Sequence, residues 1–263
     1  MTRVTNRLSN FLKYLQSLTR FWGRQSSVDI GQSEQHGLFY ASEVTTGQRV
    51  YVSHRKRLKL YRNGFQHRQT QLLSDYRLPV DLVEAGDLVV DVGANIGEIG
   101  LWAMARGAAY IGVEPDPSAF AALSLNVPDG DLYALGLSDH AGTARFFLDT
   151  ANADSSLFQP QAGTEEIEIE LIRLDDLLKK AHPDGRVRLL KVEAEGMEPE
   201  VLAGAEKTLL RCDYVAVDAG PERGGENTVP QVFNALYGAD FEVIDSFLRR
   251  GTFLFRARGL GKG

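Results

Sequence analysis

The feature that most constrains the fold is a strand that runs into a glycine turn, at residues 88–100. Leu88–Val92 is apolar except for Asp91, as expected of a central strand in a parallel sheet. Gly93 and Gly97 give the turn backbone freedom and let a ligand approach the main chain closely. The helix that follows points free N–H groups at the same place. This stretch therefore predicts a ligand site built from a strand, a turn and a helix.

A second acid, Glu114, follows the glycine turn by about twenty residues along the chain, which is the spacing of a nucleoside-binding site. Residues 110–113 form an apolar strand that ends at Glu114, where an acid binds the two hydroxyls of a ribose. A dinucleotide site needs glycine at the middle of its turn, and this chain has Asn95 there. Asp91 would repel a pyrophosphate, but it suits the cationic side of S-adenosylmethionine, whose carboxylate suits the helix N-terminus. The alternative is an ordinary tight turn in an α/β core.

Strands and helices alternate through the rest of the chain. This alternation predicts an α/β fold with a doubly wound, mostly parallel seven-stranded sheet. Residues 241–245 and 252–256 flank a short turn, which predicts an antiparallel last strand. Residues 144–148 and 167–172 predict a strand pair outside the alternation. Residues 131–137 are expected to form the third core strand, and residues 198–210 a single helix.

The N-terminal region predicts an extension, residues 1–69, before the α/β domain of residues 70–263. Apolar side chains recur at helical spacing over residues 3–24, and basic residues occupy the other face. Such a helix can lie on an anionic membrane. The alternatives are docking on its own domain and docking on a second subunit, which would give a homo-oligomer.

The remainder of the extension is predicted to be a linker at residues 25–36 and a hairpin of strands at 38–44 and 48–52. Residues 55–68 are rich in arginine and lysine. This basic stretch either contacts a phosphate or acidic sugar on a substrate or forms a solvated face.

Composition limits the functions to consider. The chain has 263 residues and a formal net charge of −6, which argues against nucleic acid as a partner because a general nucleic-acid binder is expected to be basic. A single cysteine, Cys212, excludes an internal disulfide. No apolar run reaches the ~20 residues that span a bilayer, and no signal peptide is visible. The expected location is the cytoplasm, at the inner face of the membrane if residues 3–24 bind lipid.

Two stretches carry a resemblance to known methyltransferases. Residues 88–100 and Glu114 resemble motif I and the ribose-binding acid of the class I S-adenosylmethionine-dependent methyltransferases, which have a Rossmann-like fold. Residues 189–205, with the sequence LLKVEAEGMEPEVLAGA, resemble the FkbM family of methyltransferases. The resemblance covers residues 70–245. Within that range, the turn at Ser138 and the loop at 155–157 also match the usual pattern of the family. The resemblance implies that Pro115 and Ser138 also lie at the cofactor.

The same resemblance implies a reaction and a class of substrate. FkbM-family enzymes transfer a methyl group from S-adenosylmethionine to an oxygen, commonly a sugar or polyketide hydroxyl, and many act on surface glycans, lipid-linked glycans or natural products. A sugar or glycan is therefore the expected substrate. Methylation of RNA or protein is one alternative, and a non-catalytic, membrane-associated subunit that binds the cofactor is another. The family usually has Asp where this chain has Glu193, and often Glu where it has Asp218.

The acids beyond the fourth and fifth core strands are the predicted catalytic groups. An alcohol needs a base within hydrogen-bond reach or a metal that acidifies it. Glu193 or Glu195 would be the base, and Lys191 a structural partner or a hydrogen-bond donor to the substrate. Glu193 and Asp218 resemble the carboxylates of cation-dependent O-methyltransferases and would then hold Mg²⁺. The third alternative is a charge network that only fixes the loop.

Overall fold

The computed structural model describes residues 28–148, 165–223 and 225–260. Its strands are β1 Val28–Gln32, β2 Phe39–Glu43, β3 Arg49–Val52, β4 Leu88–Val92, β5 Ala109–Val113, β6 Asp131–Tyr133, β7 Gly136–Leu137, β8 Gly142–Leu148, β9 Glu165–Ile172, β10 Val187–Val192, β11 Cys212–Asp218, β12 Phe241–Phe247 and β13 Thr252–Ala257. Its α-helices are α1 Phe65–Asp75, α2 Glu98–Ala105, α3 Pro117–Asn126, α4 Leu174–Ala181, α5 Glu198–Ala203, α6 Glu206–Leu209 and α7 Val229–Gly238. A 3-10 helix spans Arg55–Tyr61.

The central sheet has seven strands in the order β12–β13–β11–β10–β4–β5–β6. Strands β4, β5, β6, β10 and β11 are parallel, whereas β13 is antiparallel to both of its neighbours. The strand order reverses between β4 and β10, and ligands bind beyond the carboxyl ends of the strands at such a point. The predicted doubly wound sheet with an antiparallel last strand is confirmed.

The sheet is buried on both faces because successive side chains of a strand point to opposite sides. On β4, Val90 and Val92 belong to one core, which also contains side chains of α4, α5 and α7. Val89 belongs to a second core with Trp102 of α2 and side chains of α1 and α3. The acid of this strand, Asp91, is only 1% exposed. A continuous apolar strand therefore carries one buried charge to the point where the sheet binds ligands.

The N-terminal extension packs against the turn that follows β4. Strands β1, β2 and β3 form a small antiparallel sheet, so the predicted hairpin is confirmed. The predicted linker at 25–36 is wrong, since β1 lies within it and pairs with β2. Val52 and Tyr61 of the extension share a core with Ile96 and Ala122. The predicted division after residue 69 falls within α1.

Asn126 joins this extension to the central domain. Its amide oxygen accepts a hydrogen bond from the Tyr51 N–H at 2.7 Å. Its amide nitrogen donates to the carbonyls of Tyr51 and Ile96, at 2.8 and 2.7 Å. One side chain thus fixes β3 to the turn after β4.

Two predicted elements are divided. The expected third strand at 131–137 splits into β6, in the central sheet, and β7, which pairs with β9 in a second three-stranded sheet. The expected helix at 198–210 ends at Ala203 and resumes at Glu206. Between them, the backbone of Gly204 packs so closely on the carbonyl of Ser138 that a Cβ would lie 2.1 Å from its oxygen. The predicted strand pair at 144–148 and 167–172 is confirmed as β8 and β9.

The amphipathic helix predicted at 3–24 and the loop at 155–157 lie outside the described residues. No helix in the described part of the chain combines the length and apolar character that crossing a bilayer requires.

Candidate active site

The turn between β4 and α2 has an unusual backbone that brings two strands together. Gly93, Asn95 and Gly97 have φ of 68°, 50° and 84°, in the left-handed region that favours glycine and tolerates asparagine. A Cβ on Gly93 would lie 1.8 Å from the carbonyl oxygen of Glu193. Glycine is therefore required where the end of β4 passes the end of β10.

Glu114 is held beside this turn by the backbone. One carboxylate oxygen accepts the N–H of Asn95 at 2.7 Å and the other accepts the N–H of Asp116 at 2.8 Å. Burial raises the pKa of Glu114 to about 7, although both backbone hydrogen bonds oppose that rise. The carboxylate keeps lone pairs for further donors, so the group predicted to bind a ribose is fixed in place.

Lys191 and Asp91 form an ion pair inside the sheet. The two residues are neighbours across β10 and β4, and Nζ of Lys191 lies 3.1 Å from Oδ1 of Asp91. Lys191 also donates to the carbonyls of Val92 and Gly93, at 3.1 and 2.6 Å. Tyr110 donates to the other Asp91 oxygen at 2.8 Å. Both charges are therefore satisfied largely by the protein itself.

Glu193 is surrounded by three donors. Tyr76 donates its hydroxyl to Oε2, Lys191 lies 3.3 Å from the same oxygen, and Arg250 lies 3.4 Å from Oε1. Burial alone would raise the pKa of Glu193, but the Lys191 charge, the Tyr76 hydrogen bond and the Arg250 charge lower it. Burial alone would likewise lower the pKa of Lys191, and the charges of Asp91 and Glu193 raise it. The pair is charged at neutral pH.

The loop after β10 carries the other predicted base. Glu195 has a φ of 48° and is followed by Gly196 at 95°. The loop is fixed by Glu198, a buried residue whose Oε1 accepts the N–H groups of Ala194 at 2.8 Å and Gly196 at 3.1 Å. Glu195 thus sits on a backbone held by a second acid, Glu198, which the sequence did not single out.

One cavity of about 230 Å³ joins these groups. The predicted cofactor residues that line it are Asp91, Gly93, Asn95, Glu114 and Pro115. The predicted catalytic residues Lys191, Glu193 and Glu195 line it too. Other lining residues come from the extension, from the end of α1 and from the last hairpin: Ser53, Arg57, Arg68, Tyr76 and Arg250. Gly97, Ser138 and Asp218 are not among the described residues that line the cavity. Gly97 instead packs against Leu123 and Val127, and Ser138 donates to Asp139 at 3.1 Å.

Comparisons with known proteins agree with this geometry. The family model for the methyltransferase FkbM domain matches residues 91–255, which is more than half of the chain. The chain belongs to the FkbM methyltransferase family. It is therefore an S-adenosylmethionine-dependent methyltransferase, and the predicted class I fold, family and cofactor are confirmed.

Several relatives of this FkbM-family chain are known by name. Methyltransferase sdnD of Sordaria araneosa is 27% identical over 174 residues, which cover 52% of this chain and 67% of the relative. The 2-O-methyltransferase NoeI of Sinorhizobium fredii is 25% identical over 224 residues, 76% of this chain and 90% of the relative. The 31-O-demethyl-FK506 methyltransferase FkbM of Streptomyces tacrolimicus is 32% identical over 157 residues, which cover 46% of this chain and 60% of the relative.

Among solved structures, fibrillarin from Aeropyrum pernix in complex with S-adenosylmethionine is 15% identical. That match covers 89% of this chain and 95% of the fibrillarin chain, with a TM-score of 0.42.

The residues of this FkbM-family site fit S-adenosylmethionine. Glu114 presents a fixed acceptor for ribose hydroxyls. The amide oxygen of Asn95 is buried without a partner, so it can accept a hydrogen bond from a donor on the ligand, such as an ammonium group or a hydroxyl. Among all the residues that line the cavity, six carboxylates stand against four cations, which suits a positively charged sulfonium.

The predicted Mg²⁺ ligands do not fit a metal ion. Arg250 stands between them, with Nη2 3.4 Å from Glu193 and Nε 3.4 Å from Asp218. Mg²⁺ binds oxygen at about 2.0–2.1 Å, so an ion there would have to displace the guanidinium. No group of three or more His, Cys, Asp and Glu side chains in the described ranges could hold a metal ion.

Sequence reasoning missed the groups that complete the site. Tyr76 follows α1, and Arg250 lies in the turn between β12 and β13, far from the motifs in sequence. Arg68 of α1 forms a two-point ion pair with Glu98, at 2.7 and 2.6 Å. Only the basic stretch at 55–68 gave a sequence signal for this part of the cavity, and it supplies two of the lining residues, Arg57 and Arg68.

Proposed function

We propose that this FkbM-family enzyme methylates a hydroxyl oxygen of a sugar, in a glycan or a glycosylated small molecule. The observation that carries the proposal is that one cavity is lined both by the predicted cofactor residues and by Glu193 with its partners Tyr76, Lys191 and Arg250. Two relatives are named for transfer to oxygen, NoeI as a 2-O-methyltransferase and FkbM as a 31-O-demethyl-FK506 methyltransferase. Both names support an oxygen acceptor for this chain.

The chain's residues would position the acceptor and receive its proton. Bound S-adenosylmethionine supplies an electrophilic methyl group, and the acceptor oxygen becomes nucleophilic as its proton leaves. Glu193 remains a carboxylate at neutral pH because its pKa is lowered by the Lys191 charge, the Tyr76 hydroxyl and the Arg250 charge, against the effect of burial. It would accept the hydrogen bond of the acceptor hydroxyl and orient it. Holding the reacting atoms in line supplies much of the acceleration in such a transfer.

Glu195 is the alternative base. It lines the same cavity, and its side chain projects from the loop that Glu198 fixes. The two acids can be separated by kinetics: loss of the base lowers kcat, whereas loss of an orienting group changes KM as well.

A sugar acceptor is supported by the lining of the cavity on the side of the extension. Ser53, Arg57 and the Arg68–Glu98 ion pair line that side, and a sugar offers several hydroxyls that can pair with polar side chains of these kinds. The net charge of −6 does not favour RNA, whose binding depends on neutralising phosphates.

The experiment has a binding arm and a transfer arm. Calorimetry should show binding of S-adenosylmethionine and its demethylated product, and no binding of NAD. Transfer of a labelled methyl group should then be followed to oligosaccharides, glycosylated small molecules, RNA and protein. Glu114→Ala should abolish cofactor binding, and Glu84→Gln, at an exposed site, should not. Label in RNA or protein but never in a carbohydrate would overturn the proposal.

A further inference from the structure

The tip of the β12–β13 hairpin is fixed over the carboxyl end of β11. Gly251 has a φ of 86°, and a Cβ there would lie 2.7 Å from the carbonyl oxygen of Ala219. Its own carbonyl accepts the Ala219 N–H at 2.9 Å. Thr252 adds a hydrogen bond from its hydroxyl to the Asp75 carbonyl at the end of α1. These contacts place the preceding residue, Arg250, above the ends of the parallel strands.

The guanidinium of Arg250 meets three carboxylates. Nη1 lies 3.3 Å from Asp75, Nη2 lies 3.4 Å from Glu193 and Nε lies 3.4 Å from Asp218. Its central carbon is 5.5 Å from the centre of the Tyr76 ring, within the range of a cation–π contact. The three acids lie in α1, in the loop after β10 and in β11, so a single cation connects parts of the chain that are distant in sequence.

These ion pairs leave the guanidinium able to bind another oxygen. Charge-assisted hydrogen bonds between nitrogen and oxygen are commonly about 2.7–2.9 Å long, and all three contacts are longer. Arginine carries five N–H donors. Its side chain is 38% exposed and lines the cavity beside Glu193. A substrate oxygen beside Glu193 would therefore meet the guanidinium as well.

We propose that Arg250 takes the place of a divalent cation in this enzyme. Its guanidinium contacts the acceptor oxygen and stabilises the negative charge that develops as the proton leaves, so methyl transfer proceeds without a metal ion. This inference rests on the proposed transfer to oxygen. It also explains why Glu193 and Asp218, whose pattern predicts metal ligands, lie on either side of an arginine.

The proposal has a consequence that does not depend on turnover. Removal of the guanidinium leaves Asp75, Glu193 and Asp218 around one space, without the charge that balanced them. In the described part of the chain these three acids are not arranged to hold an ion while the guanidinium lies between them. Oxygen ligands of this kind suit hard divalent and trivalent cations, and without the arginine the three carboxylates can move together around one. Arg250→Ala should therefore gain affinity for such ions, and the wild-type enzyme should have none at this site.

The first test measures metal binding, with Tb³⁺ as the probe. Tyr76 lies against the site, so bound Tb³⁺ should luminesce when tyrosine is excited. Arg250→Ala is expected to show at least a tenfold higher affinity than the wild type, and Asp218→Asn in that background should remove the gain. Arg249→Ala, an exposed arginine of the same turn, is the matched control and should resemble the wild type. Equal Tb³⁺ binding by the wild type and Arg250→Ala would overturn the proposal.

The second test measures methyl transfer to the acceptor identified for the wild type. EDTA and added Mg²⁺ should change the wild-type rate by less than twofold. Arg250→Ala should lower kcat by about a hundredfold, the effect of removing one donor to a developing oxyanion, and millimolar guanidinium should restore part of it. A wild-type rate that EDTA abolishes and Mg²⁺ restores would overturn the proposal. A wild type that methylates no oxygen acceptor would instead refute the proposed function, and the Tb³⁺ titration would still decide the role of Arg250.

Discussion

Lys191 and Asp91 face each other across neighbouring parallel strands, with Nζ and Oδ1 3.1 Å apart. Their side chains are 3% and 1% exposed. The acid that was predicted to meet the cationic side of the cofactor is thus neutralised by a lysine of the next strand. It still lines the cavity, so its negative charge acts on a ligand through a pair rather than alone.

Removal of the lysine should therefore destabilise the protein. Lys191→Met leaves Asp91 buried without its partner, and breaking a buried pair in this way costs roughly 3–5 kcal/mol. The free energy of unfolding from urea titrations is the measurement. Lys191→Met combined with Asp91→Asn should recover much of the loss because no unpaired charge remains. A single variant as stable as the wild type would show that the pair is not needed for folding.

The close approach of the β4 turn to β10 predicts a second large effect. Gly93→Ala places a Cβ 1.8 Å from the Glu193 carbonyl oxygen, at a φ of 68°. We expect a loss of about 2 kcal/mol or more in the free energy of unfolding, together with loss of cofactor binding. Gly37→Ala is the matched control because Gly37 has a φ of 69° and no atom within 4 Å of the added Cβ. The difference between the two variants measures the clash alone, and equal losses would refute it.

Binding of the ribose should depend on pH through Glu114. Burial raises the pKa of this carboxyl to about 7, and the ionised form is the better acceptor for two hydroxyls. The fraction ionised rises about tenfold from pH 6 to pH 8, so affinity should rise by the same factor. The ligand for calorimetry is 5′-methylthioadenosine, which has the ribose but no amino-acid group that titrates here. Glu114→Gln should bind weakly with no pH dependence, and affinity that falls from pH 6 to pH 8 would contradict this role.

A second carboxyl with a raised pKa, that of Glu222, should make the stability of the protein depend on pH. Burial, followed by the charges of Glu198, Asp218 and Glu193, raises the pKa of Glu222 to about 8. Between its unfolded value of 4.5 and pH 8, the folded protein keeps a proton that the unfolded chain releases. Stability is therefore favoured below about pH 4.5 and is lost as the pH rises to 8. Glu222 is partly exposed, so solvent screening limits the effect to about 1 kcal/mol.

Urea unfolding at pH 5.5 and pH 8.5 tests this linkage. Glu222→Gln should be more stable than the wild type at pH 8.5 and nearly equal to it at pH 5.5. The pKa of Asp218 is raised to about 7, mainly by burial. Asp218 therefore also makes stability fall as the pH rises, and Glu222→Gln retains that contribution. Glu84→Gln is the control at an exposed position. A variant that loses stability at pH 8.5 would mean that the ionised Glu222 stabilises the fold.

The cofactor half of the site could be predicted from the sequence because its parts are local. Gly93, Asn95 and Glu114 follow one another within a single strand–helix–strand unit, where the connection itself sets their geometry. Ser138 was placed at the cofactor by the family resemblance instead; in the structure it is not among the described residues that line the cavity, and it donates a hydrogen bond to Asp139. Local sequence reasoning predicted that Asp91 meets the cofactor, but it did not predict that Lys191 lies beside Asp91. The two residues are neighbours only because β10 pairs with β4, and no local stretch of sequence indicates which strands pair.

The acceptor half could not be assembled in this way. Tyr76, Glu193 and Arg250 are separated by more than fifty residues at each step, and they meet only because β13 inserts between β11 and β12. The acids were recognised because they end predicted strands. The arginine was not recognised, because a basic residue in a hairpin turn has no pattern that distinguishes it from a solvated one.

The contact between the extension and the β4 turn has a consequence for how acceptor choice can evolve. The family model matches only from residue 91, whereas Ser53, Arg57 and Arg68 line the cavity from before that point. One wall of the cavity is thus built by residues outside the segment that the family model matches. A change in that wall can alter the shape offered to an acceptor without touching Gly93, Asn95 or Glu114, provided that the new residues still cover Ile96 and Ala122.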